Sequence, residues 1–241
     1  MRSYKRYTRR KRLLKHIVVV ALVFILGLVL LRDVSYIAIQ DEIPMINSFN
    51  LFRREADTSF GWNLILVNDD YRIPRNYEVE LTELSNGEKV DSRIYPQLQQ
   101  MFDDARTEGL ELFVREGYRT TQDQKNIMNE RIQKYQDEGY SRWEAKERAE
   151  EYVAEPGTSE HELGIAVDIN ADTSKCYADA VYTWLANNAY KYGFIKRYPD
   201  DKTEITGVNN EPWHYRYVGV DSAIEMQEKG LCLEEYIESL R

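Results

Sequence analysis

The stretch EPGTSEHELGIAVDIN, Glu155 to Asn170, places Ser159, His161 and Asp168 within ten residues. A serine–histidine–aspartate triad needs the imidazole to touch the hydroxyl with one nitrogen and the carboxylate with the other, which residues so close in sequence seldom achieve. There is no G-x-S-x-G elbow either. HELGI begins like the helical H-E-x-x-H zinc motif, yet Ile165 stands where the second histidine belongs. The scarcity of histidine is more telling. The chain has three, and His16 sits at the edge of a long apolar run, which leaves His161 and His214.

A catalytic zinc commonly takes two histidines and one carboxylate and keeps a fourth position open for water. His161 and Asp168 can share one ion only if Leu163-Gly164 bends the chain back, and glycine suits that bend. His214 arrives in NNEPWHYRYVG, where Pro212 keeps Glu211 out of a helix interior. A carboxylate there is of the right kind for a general base acting on zinc-activated water. The same spacing also suits a packed structural histidine and solvated acids, and from the residues alone both readings stand.

The elements that must position these groups are short. WNLILVN, Trp62 to Asn68, reads as a first strand ended by Asn68-Asp69-Asp70. Leu98, Met101, Phe102 and Ala105 recur at helical spacing from Pro96, and Gly109 closes that helix. LELFVRE reads as a buried strand. Thr120 or Thr121 then caps a polar helix running to about Glu138, Ser141 caps another, and Pro156-Gly157 ends it. GIAVDIN alternates as a strand, with Ile165, Val167 and Ile169 on one face and Ala166 and Asp168 on the other. Residues 177–192 form an aromatic-rich helix, PWHYRYV a last strand, and residues 221–229 and 233–240 two short helices. The irregular succession of helices and strands gives an α+β domain.

The first 16 residues carry eight Lys and Arg and no acid, and Ile17 to Leu31 has no polar side chain. With flanking apolar residues the run is extended to a transmembrane signal-anchor over 17–36. A cleaved signal peptide competes, but no small-x-small site follows. Residues 1–16 then form a basic cytoplasmic tail, 37–58 a linker, and 59–241 an extracytoplasmic domain. Beyond residue 31 the chain has 24 basic against 41 acidic residues, a net charge of −17, which argues against nucleic acid as a partner. Cys176 and Cys232 fall in the exported part, where a disulfide is permitted but not fixed by sequence.

PGTSEHELGIAVDI resembles the S-x-H-x-x-G-x-A-x-D signature, and TGVNNEPWHYRYVG the E-P-W-H segment, of the VanY-type zinc D-alanyl-D-alanine carboxypeptidases, peptidoglycan metallopeptidases of the LAS type. GYRTTQDQ resembles that family's G-Y-R-(S/T) block, and the likeness spans about residues 59–230. It implies a small antiparallel sheet flanked by helices with zinc on the sheet. His161, Asp168 and His214 would be the ligands and Glu211 the catalytic base. Arg119 would hold the terminal carboxylate or the oxyanion, while Gln124 and Ser159 would face substrate. The implied substrate is the peptidoglycan stem peptide; the N-terminal segment, outside the likeness, places the domain at the cell membrane, and a monomer is expected. Two alternatives remain: an L,D-carboxypeptidase acting on tetrapeptide stems, and a non-catalytic cell-wall binding module. Glu162-Leu163 departs from the family's frequent Gln-Thr, which touches local loop packing only.

Overall fold

The computed structural model describes residues 53–241; the basic tail, the membrane segment and most of the linker inferred from the sequence lie outside the described residues. Among the described residues no helix is long and apolar enough to cross a membrane.

The chain enters through β1 (Arg54–Glu55), which pairs in parallel with β2 (Tyr71–Arg72). Between them, Trp62 to Asn68 does not form the expected strand. Trp62–Leu64 is a 3-10 turn, and the residues after it join no ladder. The alternation read from the sequence is nonetheless physical: Ile65 and Val67 enter the larger core, while Leu64 and Leu66 enter a smaller one. A side chain supplies hydrogen bonds where a neighbouring strand would have done so. Arg216 Nη2 donates to the carbonyls of Asn63 (3.1 Å) and Ile65 (2.9 Å).

A hairpin of β3 (Leu81–Glu83) and β4 (Lys89–Asp91) follows. Helix α1 (Tyr95–Thr107) has Pro96 in its first turn and buries Leu98, Met101, Phe102 and Ala105. Strand β5 (Leu112–Glu116) leads to α2 (Thr121–Asp137) and α3 (Arg142–Glu150), whose starts are set by capping boxes from Thr120 with Asp123 and from Ser141 with Glu144. Next come β6 (Ala166–Ala171), α4 (Ala178–Asn188), β7 (Phe194–Lys196) and the single turn α5 (Thr203–Thr206). Strand β8 (His214–Tyr217), α6 (Val220–Lys229) and α7 (Leu233–Ser239) complete the order.

Four strands form one antiparallel sheet in the order β5-β6-β8-β7. On one face Val114, Val167, Ile169 and Tyr215 pack with α1 and α4. Each fully buried aliphatic side chain there, such as Ile169 or Leu185, contributes roughly 1.5–3 kcal/mol. Strand alternation sends Asp168, His214 and Arg216 to the opposite face. Cys176 and Cys232 are both free; Cys176 Sγ sits 3.3 Å from both the N–H and the carbonyl of Glu111.

Candidate metal centre

Antiparallel register sets Asp168 of β6 directly opposite His214 of β8, so the two side chains leave the same face as cross-strand neighbours. His161 reaches them from the 3-10 turn Glu160–Leu163, which Gly164 reverses in the left-handed region at φ 75°. A Cβ there would also meet Val79 Cγ2 at 3.2 Å and the Asp91 nitrogen at 3.3 Å. The turn is fixed by backbone bonds, Arg119 N–H to His161 O (3.2 Å) and Asp91 N–H to Gly164 O (2.8 Å).

Three potential ligand atoms, one each from His161, Asp168 and His214, lie within 4.8 Å of one another. Asp168 Oδ1 is 3.5 Å from His161 Nε2 and 3.2 Å from His214 Nδ1, and it is buried without a hydrogen-bond partner. The far nitrogen of each imidazole is already engaged: His161 Nδ1–H donates to Gly117 O at 2.8 Å, and His214 Nε2–H to Glu160 Oε2 at 3.4 Å. Both rings therefore turn an unprotonated edge toward Asp168 when neutral. A borderline-soft cation that accepts nitrogen and carboxylate donors fits this set, with the orphaned aspartate oxygen at its centre. Burial lowers the His161 pKa and the Arg119 charge pushes it further down, favouring the neutral ligand form. For His214, burial is outweighed by the Asp168 and Glu160 carboxylates, which raise it to about 9, so a metal must displace a proton there. Burial would raise Asp168 and Glu160, but both lie well below the carboxylate range: interactions with the His161 and His214 rings hold down the first, and the Arg197 and Arg216 charges the second.

Glu211 Oε2 stands 3.6 Å from His214 Nδ1, just ahead of β8. Its N–H bonds to Tyr198 O at 3.1 Å. Burial pushes its carboxyl up to about 7; the Asp168 charge adds to this, while His214 and Arg119 oppose it. That is the range a proton-shuttling group needs at neutral pH. Arg119 Nη2 lies 3.6 Å from Asp168 Oδ2, and its Nε lies 3.4 Å from Glu116 Oε2. Gln124 is brought to the same place, but both ends of its amide are engaged: Oε1 accepts from Arg119 Nη1 (3.3 Å), and Nε2 donates to Ala154 O (2.7 Å). Ser159 is buried at the head of the His161 turn, and its hydroxyl makes no capping bond.

The sequence reading passed over three residues. Glu160 holds the outer edge of His214. Tyr198 packs its ring 4.9 Å from that imidazole. Gly117 supplies the His161 acceptor from a position where a Cβ would sit 2.2 Å from Lys89 O. The signals in the sequence were the charge of Glu160, set between Ser159 and His161, and the place of Gly117 at the head of GYRTTQDQ.

The class that this fold and donor set define is a zinc metallohydrolase. The family model "VanY: D-alanyl-D-alanine carboxypeptidase" matches residues 87–220. A D-alanyl-D-alanine carboxypeptidase of Enterococcus faecalis is 53% identical over 196 residues, covering 81% of this chain and 73% of its own. A solved structure of VanYB in complex with D-alanine-D-alanine has 56% identity and a TM-score of 0.73, covering 75% of this chain and 99% of that one. A mutant of the vancomycin-resistance D,D-pentapeptidase VanY from a VanB-type cassette, in complex with Zn(II), has 57% identity and a TM-score of 0.72, covering 73% and 99%. The chain belongs to the VanY D-alanyl-D-alanine carboxypeptidase family, and its cofactor is zinc.

Proposed function

We propose that the chain is a zinc-dependent D,D-carboxypeptidase that removes the C-terminal D-alanine from peptidoglycan stem peptides. It acts as a monomer, held outside the cell membrane by its N-terminal segment. The observation that carries the reading is the convergence of His161 Nε2, Asp168 Oδ1 and His214 Nδ1 with Glu211 beside them. Likeness to proteins named for D-alanyl-D-alanine cleavage supports the D,D over the L,D specificity.

His161, Asp168 and His214 would hold the ion, which when bound polarises the scissile carbonyl and acidifies water. Glu211 takes one proton from the attacking water as its oxygen bonds to the carbonyl carbon. The same carboxyl then delivers that proton to the departing amine of D-alanine as the C–N bond breaks. Arg119, steadied by Gln124 and Glu116, sets a fixed positive charge where the substrate's terminal carboxylate or the developing oxyanion lies. Ser159 borders the substrate from the His161 turn.

Pentapeptide and tetrapeptide stems, offered side by side to the zinc-loaded chain, test this. D-alanine released from the pentapeptide, and abolished by a chelator, is expected. Release from the tetrapeptide alone makes it an L,D-carboxypeptidase, and binding without cleavage makes it a wall-binding module. External protease digestion of the domain on intact cells tests the anchor; full protection would contradict it.

A further inference from the structure

Glu160 is a buried acid with divided duties. Its Oε1 accepts from Arg197 Nε at 2.7 Å and from Arg216 Nη1 at 2.8 Å, which leaves Oε2 to face His214 Nε2 at 3.4 Å. Both arginines are 1% exposed or less. Arg216 directs its remaining donors to the carbonyls of Tyr217, Asn63 and Ile65. Arg197 is closed from the other side by Glu234 of α7, in a two-pronged pair of 2.9 and 2.6 Å. A desolvated ion cluster of this kind is seldom more stable than apolar residues of equal volume. What it does is hold one carboxylate oxygen against one edge of one imidazole, as the outer partners of metal-bound histidines do. Glu160 immediately precedes His161, so a single 3-10 turn delivers one histidine and orients the other.

We propose that Glu160 is a positioning residue for the metal centre: Oε2 keeps the His214 proton on Nε2 and turns Nδ1 toward the ion. Arg197 and Arg216 lock that carboxylate, whereas Glu234 of α7, beyond the segment matched to the family, pairs only with the Nη1 and Nη2 ends of Arg197 and not with the Nε that holds Glu160. The inference rests on the reading of His161, Asp168 and His214 as zinc ligands.

Two measurements on the full chain test it: zinc Kd by competition with a chromophoric chelator, and the long-range 1H–15N histidine spectrum of the zinc-loaded protein, which has only three histidines to resolve. In the wild type the His214 proton is expected on Nε2. Glu160→Gln sets an amide NH2 against that N–H, and zinc Kd is expected to weaken by about 10- to 100-fold. Glu234→Gln disturbs the same ion cluster without touching Oε2; it is expected to lower Tm and leave zinc Kd and the Nε2–H signal unchanged. Wild-type zinc affinity in Glu160→Gln, or equal weakening in Glu234→Gln, overturns the proposal. A wild-type spectrum with the His214 proton on Nδ1 overturns it even if Glu160→Gln fails to fold. Unaltered zinc affinity in His214→Ala would instead overturn the ligand assignment beneath it.

Discussion

On the sheet side of the site, Glu160, Arg197 and Arg216 are all 2% exposed or less, and each charged atom meets another charge or a backbone carbonyl. On the helical side, α2 and α3 pack through a small cluster of Met128, Ala149 and Val153, and Trp143 is left 62% exposed. The sheet side fixes the rings and carboxylates of the candidate metal site; the helical side contributes Gln124, which holds Arg119. Metal coordination tolerates errors of tenths of an ångström, and outer partners that fix the ligands suit that demand. A guanidinium meeting a mobile peptide needs charge in the right place more than a frozen ring.

The contrast breaks most sharply at Arg216. Replacing it with Met leaves Glu160 short of one partner in a fully buried setting, and a loss of about 3–5 kcal/mol in the urea-unfolding free energy is expected. A loss below about 1 kcal/mol would mean that the sheet side is no more demanding than an exposed surface pair. Acid should report the same cluster. Because the folded pKa of Glu160 lies below its unfolded value of about 4.3, its stabilisation is complete above that pH and is lost as pH falls toward the folded value. Urea midpoints taken from pH 6 to pH 3 should fall more steeply in the wild type than in Glu160→Gln.

Gly117→Ala is an intermediate case. The new methyl would overlap Lys89 O, and a cost of about 1–3 kcal/mol with weaker zinc binding is expected, because Gly117 O is the His161 acceptor. Ser141→Ala on the helical side is the smallest. It removes the α3 cap and should cost about 1 kcal/mol while zinc affinity stays at the wild-type value. A change in zinc Kd there would show that the two sides are coupled.

Much of the site was legible because its chemistry-bearing residues are few: once His16 is set aside, two histidines remain, each with an acid nearby in sequence. The α+β class, the β6 alternation and the Thr120 and Ser141 caps were legible for the same local reasons. Glu160 was not, since its meaning depends on arginines 37 and 56 residues away. Three-residue β7 carries no period of its own and is a strand only through its pairing with β8. Trp62 to Asn68 failed in the opposite sense, with a true alternation divided between two cores. Gln124, which the resemblance led one to expect against the substrate, has its amide engaged at both ends by the protein itself.

The division of labour between ligands and base is tested most directly at Glu211. Glu211→Gln should keep one zinc per chain and lower D-alanine release by about 10²- to 10⁴-fold. Wild-type turnover in that variant would contradict the assignment of the base, and loss of the zinc would place Glu211 among the ligands.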